Sequence, residues 1–149
     1  MPFKIPITDE QSRLMPNKTK IRAAVRAAMS LGGFSSGEIS VALVDDEAIH
    51  KINREFLQHD YPTDVISFPL DESEGEIVVS TDTAWREAER LAFPGWTAEE
   101  EMFLYVIHGA LHLAGFDDHE EEDLKEMRTA EVLCLRKIGI MPPENLHEK

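Results

Sequence analysis

From Met102 to Ala114 the chain reads MFLYVIHGALHLA, apolar on every side of a helix except at His108, Gly109 and His112. A helix that is apolar all round must be wrapped by the rest of the chain. This stretch therefore constrains the fold more than any other. Two imidazoles on such a helix are costly unless something satisfies them. Their i, i+4 spacing stacks both rings on one face, about one turn apart. Gly115 ends the helix in the manner of a left-handed cap, and the chain turns to bring Asp117, Asp118 and His119 back toward that face. Two helical histidines and a third ligand past a glycine turn make the usual plan of a catalytic zinc site, with the fourth position left for water. Three of the six histidines fall in this short segment, which favours a metal over separately satisfied core histidines.

The residue after the first histidine limits the chemistry. Zinc proteases carry glutamate there as general base, whereas this chain has Gly109. A peptidase reading loses its base.

The chain has 149 residues, enough for one ordinary domain spanning 1–149 with a single core. No charged-then-apolar leader opens it and no stretch has the length of a membrane span. Cys134 is the only cysteine, so no intrachain disulfide forms, its expected task is packing, and a cytoplasmic location is expected. The net charge of −14 argues against broad non-specific nucleic-acid binding. The charge is uneven: Lys4, Arg13, Lys18, Lys20, Arg22 and Arg26 make the N-terminal segment basic, while the acids gather at 99–101 and 117–123.

In chain order, 3–8 reads as a strand with Pro6 at an edge or end. Asn17 caps a helix over 18–31, stopped by Gly32 and Gly33. A second strand over 38–45 leads into a short helix over 46–56 capped by Asp45. A turn at 59–63 precedes a strand over 64–68, stopped by Pro69. An acidic turn at 71–75 and a strand over 76–80 suggest an antiparallel pair. Thr81 or Asp82 opens a helix to 91. The Thr97 and Glu100 capping box starts the apolar helix. The last helix runs over 120–137, acidic at its start and basic at its end, as the helix dipole favours. The tail from 141 is expected to be loose. This order lacks strict βαβ alternation and predicts α+β: a mixed sheet of about four strands packed against helices, with the metal-binding helix buried.

Three stretches together resemble the YbeY family of bacterial rRNA maturation endoribonucleases. HGALHLAG is similar to the family's HGxLHLxG metal helix. Residues 76–84, EIVVSTDTA, resemble its GDIxIS strand and the helix start that follows. Ile52-Asn53 with DYPTDVISFP over 60–69 resembles its LN and DxPTDVLSFP segment. The resemblance covers about residues 38–138. It implies a single α+β domain, one zinc ion (Zn2+) held by three histidines, and hydrolysis of single-stranded RNA during rRNA maturation and ribosome quality control. It also implies rRNA and the ribosome or its proteins as partners, with no membrane. Two positions depart from the family pattern. The family's third histidine follows the glycine in GYDH; here GFDDH has one residue more, so the metal set is His108, His112 and His119, with Asp118 as the alternative third ligand. The family's YRxKD arginine, which acts on the phosphate, is replaced by Leu57, leaving His59 or Arg54 as substitutes.

On this reading, zinc lowers the pKa of a bound water and polarises a phosphoryl oxygen. Attack comes from that water or from the RNA 2′-OH, and His59, Asp117 and Asp118 are the candidates for proton transfer. The rival is a non-catalytic ribosome-assembly factor with a closed, structural zinc.

Overall fold

The computed structural model describes residues 2–147. The sheet has five strands where about four are expected, because the first splits at Pro6 into β1 (Phe3–Lys4) and β2 (Ile7–Asp9). Both halves pair parallel with β3 (Gly37–Val44). Proline has no N–H to give a ladder, yet its carbonyl still accepts from Val41 N at 2.9 Å, so the interruption is local. β3 pairs parallel with β5 (Glu74–Ser80), and β5 pairs antiparallel with β4 (Val65–Asp71). The expected hairpin is present, but β4 continues through Pro69, opposite Gly75. Edge position explains this: β4 has a partner on one side only, so the missing N–H costs no ladder bond.

The α1 helix (Lys18–Leu31) begins at Asn17, whose side chain accepts from Lys20 N. It buries Ile21, Ala24, Val25, Ala28 and Met29. Strand alternation sends Val41, Leu43, Ile77 and Val79 into that main core, whereas Val44, Ile66 and Val78 face the other way onto Ile49 of α2 (Asp46–Leu57). Thus α2 covers one face of the sheet. The other face carries α1, α3 (Thr81–Leu91), α4 (Ala98–Leu113) and α5 (Glu121–Lys137). The apolar helix is α4, and its expected burial holds: Met102 to Ile107 are all buried, as are Ala110 and Leu111. Both halves of the Thr97/Glu100 capping box form. Among the described residues no helix is long and apolar enough to cross a membrane.

The tail departs from expectation. Leu146 is buried in the main core, so the segment through His147 folds back instead of hanging free; 148–149 lie outside the described residues. Burying a leucine contributes roughly 1.5–3 kcal/mol toward ordering the segment. Cys134 is buried as expected, and desolvation pushes its thiol up to about 11, which leaves it unreactive.

Asp46 joins the starts of α2 and α3. Its Oδ1 accepts from Ser80 Oγ at 2.7 Å and Thr83 Oγ1 at 2.8 Å, and its Oδ2 accepts from Arg86 Nη1 at 2.6 Å. Burial alone would raise this carboxyl, but the hydrogen bonds from Ser80, Arg86 and Thr83 outweigh it and hold the group below its ordinary value. A depressed folded pKa stabilises the fold above the unfolded value, near 3.8, and that contribution is lost as pH falls through the lower folded value. Asp46→Asn is expected to cost about 1–2 kcal/mol at neutral pH, with the gap to wild type closing below pH 3.8. Urea midpoints at the two pH values check this.

Candidate metal centre

Helix α4 is clamped to the sheet at Gly109. A Cβ there would lie 2.8 Å from Ile77 Cγ2 and 3.0 Å from both Ser67 Oγ and Val65 Cγ2. Ser67 Oγ donates to the Gly109 carbonyl at 2.8 Å. With that side pressed on β4 and β5, the His108 and His112 side of the helix faces a cavity of about 390 Å³ that His108 lines. The residue type that denies the chain a protease base is thus the one that lets the helix sit down on the sheet.

The imidazoles meet as the i, i+4 spacing requires. Their Nε2 atoms are 3.1 Å apart and the rings are nearly perpendicular at 83°. Beyond the helix, Gly115 takes a φ of +102°. Phe116 N donates to Leu111 O at 2.9 Å and Gly115 N to His112 O at 3.1 Å, the hydrogen-bond pair of a Schellman end. That turn aims Asp118 back at the pair, with Oδ2 at 3.5 Å from His108 Nε2 and 3.4 Å from His112 Nε2.

The expected order of preference for the third ligand is therefore reversed in this geometry. His108, His112 and Asp118 group their donor atoms within 4.8 Å, while His119 groups with Asp117 and Asp118 instead. The His119 side chain is 84% exposed, 3.5 Å from Asp117 Oδ1. Asp118 fills the position nearest the pair and His119 passes beyond it. Two imidazole nitrogens and a carboxylate oxygen are donors that suit zinc, so the residues present fit the ion.

The other candidates fall elsewhere. His59 does not line the cavity; its ring stacks on Tyr61 at 5.3 Å and its Nδ1 meets the Tyr61 hydroxyl at 3.0 Å. Asp117 accepts from Asp118 N at 2.7 Å and so shapes the loop. Arg54 lies 3.9 Å from Asp60, and Leu57 is half-exposed near the end of α2.

Sequence reasoning missed Glu131, the most deeply placed polar group of the site. It is fully buried on α5, and its Oε2 accepts from His108 Nδ1 at 2.6 Å. Arg128 Nη1 donates to Oε1 at 3.1 Å. His147 Nε2 is also 3.1 Å from Oε1, although out of line for a hydrogen bond. Burial would raise the Glu131 carboxyl, but the His108 contact and the neighbouring positive charges bring it down to about 2. For His108 the balance runs the other way: burial would lower its pKa, and Glu131 more than reverses that. An ionised Glu131 holds the proton on Nδ1, which leaves Nε2 as the donor atom facing His112 and Asp118. A signal was available, since residue 131 lies one turn after Met127 on the apolar stripe of α5, where a solvated glutamate has no place.

Glu131→Gln keeps the shape but removes the charge that fixes this tautomer. Zinc affinity, measured by competition with a chromophoric chelator, is expected to fall about 10–100-fold.

About two turns before His108 on α4, Glu101 lines the same cavity; it is buried and accepts from Trp96 Nε1 at 2.7 Å, and its burial pushes its carboxyl up. Asp64, just before β4, also lines the wall.

A family model described as Endoribonuclease YbeY matches residues 6–139. A Rhodopirellula baltica protein named Endoribonuclease YbeY is 45% identical over 130 residues, spanning 85% of this chain and 66% of the relative. A Bacillus licheniformis protein of the same name is 35% identical, spanning 94% of this chain and 98% of the relative. The solution structure of TM1509 from Thermotoga maritima matches with a TM-score of 0.65 and 28% identity, covering 91% of this chain and 89% of that one.

Proposed function

The chain belongs to the YbeY endoribonuclease family, and we propose that it is a zinc-dependent endoribonuclease that hydrolyses single-stranded RNA in rRNA maturation and ribosome quality control. The observation that carries the metal dependence is the donor set of His108, His112 and Asp118, converged at 3.1–3.5 Å on the edge of a cavity. The names borne by the relatives support RNA as the substrate class. The proposed setting is the cytoplasm, with the ribosome as partner.

Each residue has a defined task in this reading. His108 and His112 would hold the ion through Nε2, with Asp118 as the third donor. Zinc, when bound, supplies Lewis acidity toward a phosphoryl oxygen and makes water more acidic. Glu131 fixes the His108 tautomer and ring orientation from behind. Of the proton-transfer candidates, Asp118 is drawn into the donor set and His59 lies outside the cavity. Asp117, half-exposed beside Asp118, keeps its Oδ2 available to take a proton from water while its Oδ1 accepts from Asp118 N, although it too lies outside the cavity lining. Gly109 provides contact with the sheet and no base, which argues against peptide hydrolysis.

The test is cleavage of an end-labelled single-stranded RNA by zinc-loaded protein, by chelator-stripped protein, and by stripped protein given zinc again. Loss and recovery of internal cleavage are expected. Zinc retained at one per chain with no cleavage in any sample would favour the assembly factor with a structural metal.

A further inference from the structure

We propose that Arg128 is the guanidinium that grips the RNA phosphodiester at this site. The inference rests on the endoribonuclease reading for its substrate, and on geometry for its residue.

A phosphate entering the cavity meets an acidic wall. Glu87, Glu131, Asp64 and Asp118 all line it, on a chain whose net charge is −14. Such a wall repels a polyanion unless cations offset it. Among the described residues lining the cavity, two are arginines, Arg90 and Arg128. Arg90 already has its Nε and Nη2 edge filled, by Glu87 at 2.7 and 3.0 Å in a two-pronged pair. Arg128 gives Nη1 alone to Glu131, at 3.1 and 3.4 Å. A guanidinium has five N–H donors in a planar fork, so the Nε and Nη2 edge of Arg128 is left for a second anion. Its side chain is 41% exposed, open enough to meet a strand from solvent.

Position supports the assignment. Arg128 is one helical turn before Glu131, and Glu131 touches His108 directly. Arg128 therefore stands two contacts from the metal donor set, on the cavity side. Arg54 and His59, the substitutes suggested by sequence, do not line this cavity.

The experiment compares zinc-loaded wild type, Arg128→Gln, Arg128→Lys and Arg90→Gln, each with its zinc content measured. Two readouts are taken: anisotropy binding of a fluorescent single-stranded oligodeoxythymidylate over a salt series, and RNA cleavage. Arg128→Gln is expected to bind about 10–100-fold more weakly at low salt, as loss of a charge-assisted pair to phosphate implies. Its salt slope should fall by about one phosphate contact. Arg128→Lys should restore the salt slope and part of the affinity, which a purely structural role would not produce. Arg90→Gln should bind as wild type does. The proposal is overturned if Arg128→Gln binds the strand like wild type, if Arg90→Gln weakens binding equally, if wild type binds no strand, or if Arg128→Gln cannot hold zinc, since Arg128 would then serve Glu131 alone. A wild type that binds the strand through Arg128 but cleaves no RNA would instead sink the endoribonuclease reading and leave this one standing.

Discussion

His112→Ala is expected to lose zinc at micromolar metal and to lose RNA cleavage on the order of 10³-fold or more, because Lewis-acid stabilisation is worth several kcal/mol. The fold should survive. The His112 side chain is 31% exposed and its polar contacts are with His108 and Asp118, inside the donor set itself. Thermal stability of the metal-free variant is therefore expected within about 1 kcal/mol of metal-free wild type. His108→Ala is the less clean experiment. It leaves Glu131 fully buried and facing an empty space, and breaking a buried pair costs about 3–5 kcal/mol. Comparing the two by metal analysis, cleavage and thermal melts separates the metal's role from that of the core. Equal cleavage by His112→Ala and wild type would refute the assigned donor set.

Gly109→Glu, which would restore the zinc-protease base, is expected to unfold the protein rather than produce a protease. The Cβ alone meets Ile77, Ser67 and Val65 at 2.8–3.0 Å, and the remaining atoms would push a carboxylate between helix and sheet. Overpacking and an unpaired buried charge together are expected to cost about 3–5 kcal/mol, a large part of the 5–15 kcal/mol typical of a domain. Gly109→Ala should be milder. It gains about 1 kcal/mol of helix propensity against an overpacking cost of about 1–3 kcal/mol. Urea unfolding of both variants checks the ranking, and a stable, folded Gly109→Glu would show that α4 does not seat on the sheet at this residue.

Local signals in the sequence were sufficient wherever one residue type answers one backbone need. Asn17, Asp45 and Thr97 cap the helices they were expected to cap, because their side chains accept from free first-turn N–H groups. The unbroken apolarity of 102–107 left α4 no solvent-facing side. The i, i+4 pair needed only helical geometry to bring its rings together. Other features depended on partners distant in sequence. Pro69 reads as a strand end until β4 is known to be an edge, where the missing N–H is harmless. The tail reads as loose because nothing local reveals the pocket that receives Leu146.

The site divides in the same way. The pair was legible in one helix, whereas the choice between Asp118 and His119 depends on how the loop leaves Gly115. Glu131 and Arg128 come from a different helix, 23 residues past His108 in the first case. Spacing rules within one segment do not reach that far. A charged residue on the apolar stripe of α5 was the one trace of it in the sequence.

On the proposed reading, one zinc ion on the His108, His112 and Asp118 face drives RNA cleavage. The most direct test titrates zinc into stripped protein while internal cleavage of a labelled single-stranded RNA is followed. Cleavage should rise in step with bound zinc and level off at one ion per chain. Full cleavage by metal-free protein, or zinc bound to one per chain with no cleavage, would contradict the account.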